Sequence, residues 1–335
     1  MISSTARITA LGTYVPEQRL TNADLEQMVD TSDEWIVQRT GMRERRVAAP
    51  NQFSSSLGIE AVQHLLTQYP VSVNEVELII VATTTADYVF PSVAAQIQAH
   101  FHIAGAGVFD LNATCAGFVY ALHMANSLIT AGMHRKILVV ASETMTKTLD
   151  YTDRSTCILF GDGAGAALVE YDADHPSFID TIMDSDGGGG QHVYRSSLSN
   201  EISGIPMEGN GNIYQNGREV YKWAVRTVPQ GVRQLLERNQ RTTEQINWFI
   251  PHSANLKMID SICEKSGIPF AHTLTSAEWF GNTSSASIPL ALQQGIQDGK
   301  VQAGDTLLMY GFGAGLTQMG MLVQWNPTIQ RTHSQ

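Results

Sequence analysis

The apolar positions of the chain fall into short buried runs separated by helical stripes. VELIIVATT (76–84) reads as a strand buried on both faces, and PSVAAQIQAHF (91–101) as the helix after it. GVFDLNA (107–113) is a further strand, followed by a helix predicted from about Ala116 to Ala131. KILVVAS (136–142) and CILFGDGAGAALVEY (157–171) supply further strands. Uninterrupted apolar runs alternating with helices imply an α/β fold around a largely parallel sheet, covered on both faces.

The pattern then repeats. NWFIPHS (247–253) resembles ELIIVAT (77–83) as a strand feeding a loop. GNTSSASIPLALQQGIQDG (281–299) resembles TCAGFVYALHMANSLITAG (114–132), with small residues opening an apolar-striped helix. DTLLMYGFGAG (305–315) echoes RKILVVASE (135–143), and LTQMGMLVQW (316–325) closes the half as GAGAALVEY closes the first. Four matches in one order predict a duplicated α/β unit with pseudo-twofold symmetry. The predicted halves are 1–171 and 216–335, joined by connecting loops over 172–215 that contain GGGG (187–190). Val81 to Cys115 spans 34 residues and Ile250 to Asn282 spans 32, which pairs Asn282 with Cys115 across the axis.

Composition narrows the class. The chain has 335 residues, 43% of them hydrophobic and 16% charged, enough to bury a large core. Its first twenty residues lack a basic start followed by an apolar stretch, so no secretory signal is expected. LIIVA and ILVVA fall far short of the roughly 20 residues that cross a bilayer. Three widely spaced cysteines suggest a reducing, cytoplasmic location rather than a disulfide framework. The ten histidines form no HExxH-type pair, and no metal is expected. A net charge of −11 argues against nucleic-acid binding but leaves room for a local basic patch facing an acidic partner. Gly161-Asp162-Gly163-Ala164-Gly165 leads into a strand with no GK[ST] after it, so it is not a phosphate loop.

Cys115 falls between a strand and a helix, where the helix dipole and free N–H groups favour a thiolate. Thr114, Ala116 and Gly117 leave room for a substrate. A lone cysteine is as readily a buried gap-filler, and on this segment alone the two readings balance. His252 follows the strand NWFIP at a loop edge where α/β folds build sites, although a single histidine there is more often structural. Asn282 reads first as a helix cap; the duplication sets it opposite Cys115.

Seven motifs then occur in order: TSDEWIVQRTGMRERR, NATCAGFVYAL, DYTDRSTCILFGDGAGA, NGREVYKWAV, PHSANLKMI, FGNTSSASIPLAL and GFGAGLT. They resemble the β-ketoacyl-[acyl-carrier-protein] synthase III family of the thiolase superfamily, nearest its second-isoform members. The resemblance covers nearly the whole chain and implies a five-layer α-β-α-β-α fold. It implies a catalytic Cys115, His252 and Asn282, with an oxyanion hole from the N–H groups of Cys115 and Ala314. Cys115 would take an acyl group from acyl-CoA, and malonyl-acyl carrier protein would then lose CO2 and attack it. Contacts to CoA would come from Thr31, Trp35, Arg39, Arg154, Gly217 and Asn255. Phe90, Phe160 and Phe312 would shape the acyl pocket, Phe90 reaching across a homodimer interface. Lys222, Lys257 and Arg218 are candidates for docking acyl carrier protein. No cofactor is implied, because the two thioesters are substrates.

Departures from the family pattern fall on the primer pocket: Ser253 after the histidine, Ala314 and Leu316 in the C-terminal loop, and Gln318. Within the superfamily, a priming synthase of a polyketide-like pathway is the alternative. A papain-like protease shares the order Cys, His, Asn but lacks the surroundings of that cysteine, and a degenerate acyl-binding scaffold would not keep all three residues.

Overall fold

The computed structural model describes residues 3–207 and 209–330. Its strands are β1 (Ala6–Tyr14), β2 (Leu78–Ala82), β3 (Gly107–Leu111), β4 (Lys136–Thr144), β5 (Asp162–Tyr171), β6 (Phe178–Ser185), β7 (Trp248–Pro251), β8 (Thr306–Gly313) and β9 (Thr317–Gln324). The helices that matter for the site are α1 (Asp33–Thr40), α2 (Ser54–Gln68), α3 (Val93–His100), α4 (Gly117–Thr130), α5 (Gly217–Arg238), α6 (Leu256–Ser266) and α7 (Ser287–Gln297).

One sheet has the order β1-β5-β4-β2-β3 and the other β6-β9-β8-β7. Side chains alternate along β2. Ile79 and Val81 pack under α2 and α3, whereas Ile80 and Ala82 face the middle of the molecule. There they meet Phe118, Val119 and Leu122 of α4, Ile288 and Ala291 of α7, and Ile250 and Met309 of the second sheet. On the far side α5 and α6 cover the second sheet through Val228, Val232, Ile259 and Ile262. The result is the expected five-layer thiolase-like arrangement. Each fully buried large aliphatic contributes roughly 1.5–3 kcal/mol to it.

Four expectations need correction. Each sheet is mixed rather than largely parallel: β2 runs parallel to β3 and β4, and β7 to β8, but the other ladders are antiparallel. No crossover helix returns the chain between β4 and β5, so β5 comes back antiparallel. The stretch 157–161 is not strand. Asp153 caps the turn Arg154–Cys157, and the residues after it bond to the other half of the molecule. The segment 172–215 is more than connection, since it contains β6, which closes the second sheet.

The repeat register also shifts. β2 begins at Leu78 and β7 at Trp248, β4 at Lys136 and β8 at Thr306, and two 3-10 turns at Thr114 and Ser284. The displacement is 170 residues each time. The counterpart of Cys115 is therefore Ser285, and that of Asn282 is Asn112.

Candidate active site

The two 3-10 turns, Thr114–Ala116 and Ser284–Ala286, meet between the halves. Both open on a residue in the left-handed region, Thr114 at φ 46° and Ser284 at φ 49°. Thr114 is held there by its Oγ1, which donates to the Ala314 carbonyl at 3.0 Å. Gly313 lies so close that a Cβ would stand 2.8 Å from Thr114 Oγ1 and 2.9 Å from Cys115 Cβ. Glycine is required by that approach.

Cys115 opens onto a cavity of about 590 Å³ that His252, Asn282, Ala314, Phe160 and Phe312 also line. The residue is half-buried and lines this cleft. Burial pushes its thiol up to about 12; contact with the Ser284 hydroxyl opposes this and Glu143 adds to it. The helix-dipole expectation is thus outweighed. Cys115 lies two residues before α4, in the 3-10 turn that leads into it, and desolvation of a buried anion exceeds the pull of the helix end. The resting cysteine is a thiol.

His252 follows β7, its N–H bonded to Tyr310 O at 2.8 Å. Its Nδ1 lies 2.7 Å from Ser287 Oγ, at the start of α7, and its ring meets Phe312 edge to face at 5.3 Å. Burial lowers its pKa to about 3, opposed by the Ser284 backbone, so the imidazole is neutral.

Asn282 belongs to the second half but is fixed by the first. Its N–H donates to Leu159 O at 2.8 Å and its carbonyl accepts Gly161 N–H at 3.0 Å. Its Oδ1 accepts Ser284 N–H at 2.9 Å, which leaves the Nδ2 group as the donor for the cavity. Beneath, the buried guanidinium of Arg45 donates to Ile158 O through Nε at 2.7 Å and to Asn22 Oδ1 at 2.5 Å. Gly161 and Gly165 are therefore close-packing positions; a Cβ on Gly161 would meet Phe280 O at 2.1 Å.

The other predicted residues divide. Asn255 lines the cavity while its Oδ1 caps α6 through Met258 N–H at 2.8 Å. Trp35, Arg39 and Arg154 gather outside the lining residues, with Arg154 4.8 Å and Arg39 5.8 Å from the indole centroid. Thr31, just before α1, has a buried hydroxyl with no partner among the described residues. Gly217 opens α5 outside the cavity, where Gln215 and Val220 take the lining positions. Phe90 is 83% exposed and does not enter its own cavity, although Tyr88 and Val89 do. Lys257 and Arg218 are exposed, and Lys222 is exposed but paired with Glu219 at 2.7 Å.

Glu143, Ser284, Ser287 and Asn112 escaped the sequence reading. The 170-residue displacement would have marked Ser284, Ser285 and Asn112 as the partners of Thr114, Cys115 and Asn282.

A duplicated α/β sandwich that gathers cysteine, histidine and asparagine around one cleft between its halves is a thiolase-like condensing enzyme. Comparison with known proteins agrees. Residues 109–187 match the family described as 3-oxoacyl-[acyl-carrier-protein] synthase III, and 236–325 match its C-terminal part. The chain is 61% identical over 323 residues to β-ketoacyl-[acyl-carrier-protein] synthase III 2 of Bacillus cereus, covering 96% of this chain and 99% of that protein. The solved synthase III of Thermus thermophilus superposes with a TM-score of 0.91 at 42% identity, over 95% of this chain and 99% of that one. The priming β-ketosynthase of the R1128 polyketide pathway superposes at 0.89 with 36% identity, over 96% of each chain. The chain belongs to the 3-oxoacyl-[acyl-carrier-protein] synthase III family, in its second-isoform branch. It is an acyltransferase of the kind that initiates fatty acid synthesis, and the polyketide alternative is not favoured. Among the described residues no helix is long and apolar enough to cross a membrane.

Proposed function

We propose that Cys115 accepts an acyl group from acyl-CoA and that His252 and Asn282 direct decarboxylation of malonyl-acyl carrier protein. The observation that carries this reading is the shared cleft, lined by the Cys115 thiol, a neutral imidazole held by Ser287 and an Asn282 amide whose Oδ1 is already engaged. Cys115 attacks the thioester carbonyl, CoA leaves, and the acyl group stays on sulfur. The N–H groups of Cys115 and Ala314 bind the oxyanion of that step.

In the second stage the malonyl group loses CO2, and negative charge develops on its thioester oxygen. Ser287 Oγ accepts Ser253 N–H at 3.3 Å, so its own hydroxyl hydrogen is free for His252 Nδ1. The neutral ring then carries its proton on Nε2. That N–H and the Asn282 amide bind the developing enolate, each donor being worth roughly 3–4 kcal/mol. The carbanion attacks the acyl thioester and expels Cys115. No group in this scheme need act as a base on malonate, and no cofactor takes part.

The Trp35 cluster takes the adenine and phosphates of CoA, with Thr31, Gly217 and Asn255 along the pantetheine arm. Phe160 and Phe312 bound the acyl chain, and an exposed Phe90 suits the cleft of a second copy in a cytoplasmic homodimer. Lys222, Lys257 and Arg218 face the acidic carrier protein. Intact-mass measurement after incubation with straight and branched acyl-CoAs tests the scheme. An acyl adduct is expected on the native chain and none on Cys115→Ala; an adduct that persists in the variant overturns the assignment.

A further inference from the structure

Glu143, the penultimate residue of β4, is fully buried, and among the described residues no cation pairs with it. Burial raises its pKa, opposed by a dense set of hydrogen bonds, so it is a ready acceptor for a proton offered along a hydrogen-bonded path. Oε2 accepts Thr84 N–H at 3.0 Å, Thr84 Oγ1 at 3.1 Å and Thr85 Oγ1 at 2.7 Å. Oε1 accepts Ser285 Oγ at 2.8 Å and Ser284 Oγ at 3.1 Å. Ser284 Oγ in turn accepts from Cys115 Sγ at 3.5 Å. A continuous path therefore runs from the thiol to the carboxylate.

The backbone does not demand a carboxylate at this place. The position equivalent to Glu143, 170 residues later, is Gly313, which packs bare against Thr114 and Cys115 just as Glu143 meets Ser284 and Ser285.

We infer that Glu143 stores the Cys115 proton, delivered through the Ser284 hydroxyl, for the lifetime of the acyl-enzyme. On acylation the Sγ–H bond breaks and that proton joins Ser284 Oγ, whose own proton passes to Glu143 Oε1. Sulfur bonds to the acyl carbon, the carbon–sulfur bond to CoA breaks, and the CoA thiolate takes a proton from solvent at the mouth. On condensation the expelled Cys115 thiolate recovers its proton by the reverse path. The buried cluster carries one negative charge before and during attack, so a thiolate never has to form beside a second anion. Of the titratable groups around it, Cys115 is the donor and His252 is neutral. Ser284 is thus the relay, and Glu143 a positioning residue that acts through it.

The idea rests on the synthase reading, and its test separates the two. Acylation of Cys115 by acyl-CoA is followed by quenched mass spectrometry across pH, on the native chain, Glu143→Gln, Ser284→Ala and Glu143→Asp. Both Glu143→Gln and Ser284→Ala should acylate about 10²-fold more slowly near neutrality, a typical value for a lost proton-transfer group. Their rates should climb with hydroxide concentration where the native rate is flat, and Glu143→Asp should recover part of the loss. Difference infrared spectra should show a protonated-carboxyl band on acylation of the native chain and none for Glu143→Gln. Ser284→Ala keeps the carboxylate and its other donors, so it reports even if Glu143→Gln misfolds. If Glu143 acted only as a fixed charge, Glu143→Gln would acylate faster, and that result overturns the proposal. So does an unchanged pH profile or a missing band. Absence of any adduct on native Cys115 would instead overturn the synthase reading itself.

Discussion

Asn282 and Phe160 form a parallel bridge that ties the Asn282 loop of the second half to the backbone of the first. The bridge works only because Gly161 lets the Phe280 carbonyl approach. Gly161→Ala should destabilise the fold by about 1–3 kcal/mol, as overpacking does. It should also impair decarboxylation more than acyl loading, since Asn282 moves and Cys115 does not. Urea unfolding together with separate half-reaction rates checks both; equal loss in the two half-reactions contradicts the bridge as the cause.

Truncating the donor itself isolates its role. Asn282→Ala should leave acylation of Cys115 near the native rate while slowing CO2 release from malonyl-acyl carrier protein by roughly 10²–10³. Radiolabelled CO2 release and intact-mass loading are the two readouts. Equal loss of both would place Asn282 in the acylation step instead.

A neutral His252 has a sign that can be checked. Its folded pKa is near 3, below the ordinary value of 6.5, so in that window the unfolded chain binds a proton that the native site refuses. Stability from this group is therefore lost as pH falls from about 6.5 towards 3, by about 1.4 kcal/mol per unit. Denaturant unfolding between about pH 6.5 and pH 4 should show a shallower pH slope for His252→Gln than for the native chain. The decarboxylation rate should show no histidine limb near neutrality. A limb there would mean the ring titrates and the neutral-donor role is wrong.

The half-buried Trp35 ring has two guanidinium groups beside it, Arg154 at 4.8 Å and Arg39 at 5.8 Å from its centroid, a grouping suited to an adenine ring with phosphates nearby. Losing one stacking face costs about 1–3 kcal/mol. Trp35→Ala should thus raise KM for acyl-CoA about tenfold or more and leave kcat near native, because the indole lies away from the cleft. Steady-state kinetics decides, and a fall in kcat with unchanged KM argues against this contact.

Much of the architecture was legible along the chain because local pattern and fold agree. The alternation in LIIVA, the striped helix after Cys115 and the repeat of both in the second half follow from which faces must be buried. The motifs around Cys115, His252 and Asn282 singled out these three, which the structure gathers at one cleft. What the pattern could not carry was anything set by contacts between the halves. The strand predicted over 157–161 fails because Leu159 and Gly161 bond to Asn282 rather than to a sheet neighbour.

By itself the sequence determined a duplicated α/β unit, a cysteine at a strand-to-helix turn and the residue types that gather in the cleft. The tertiary structure alone decided the register of the duplication, setting Ser285 rather than Asn282 opposite Cys115. It also decided the protonation state: desolvation in the closed cleft outweighs the helix end and leaves Cys115 a thiol and His252 an uncharged ring. Both outcomes depend on atoms more than a hundred residues apart in the chain, where Ser284 meets Cys115 and Glu143. Local periodicity does not encode such distances; only the packing of one half against the other does.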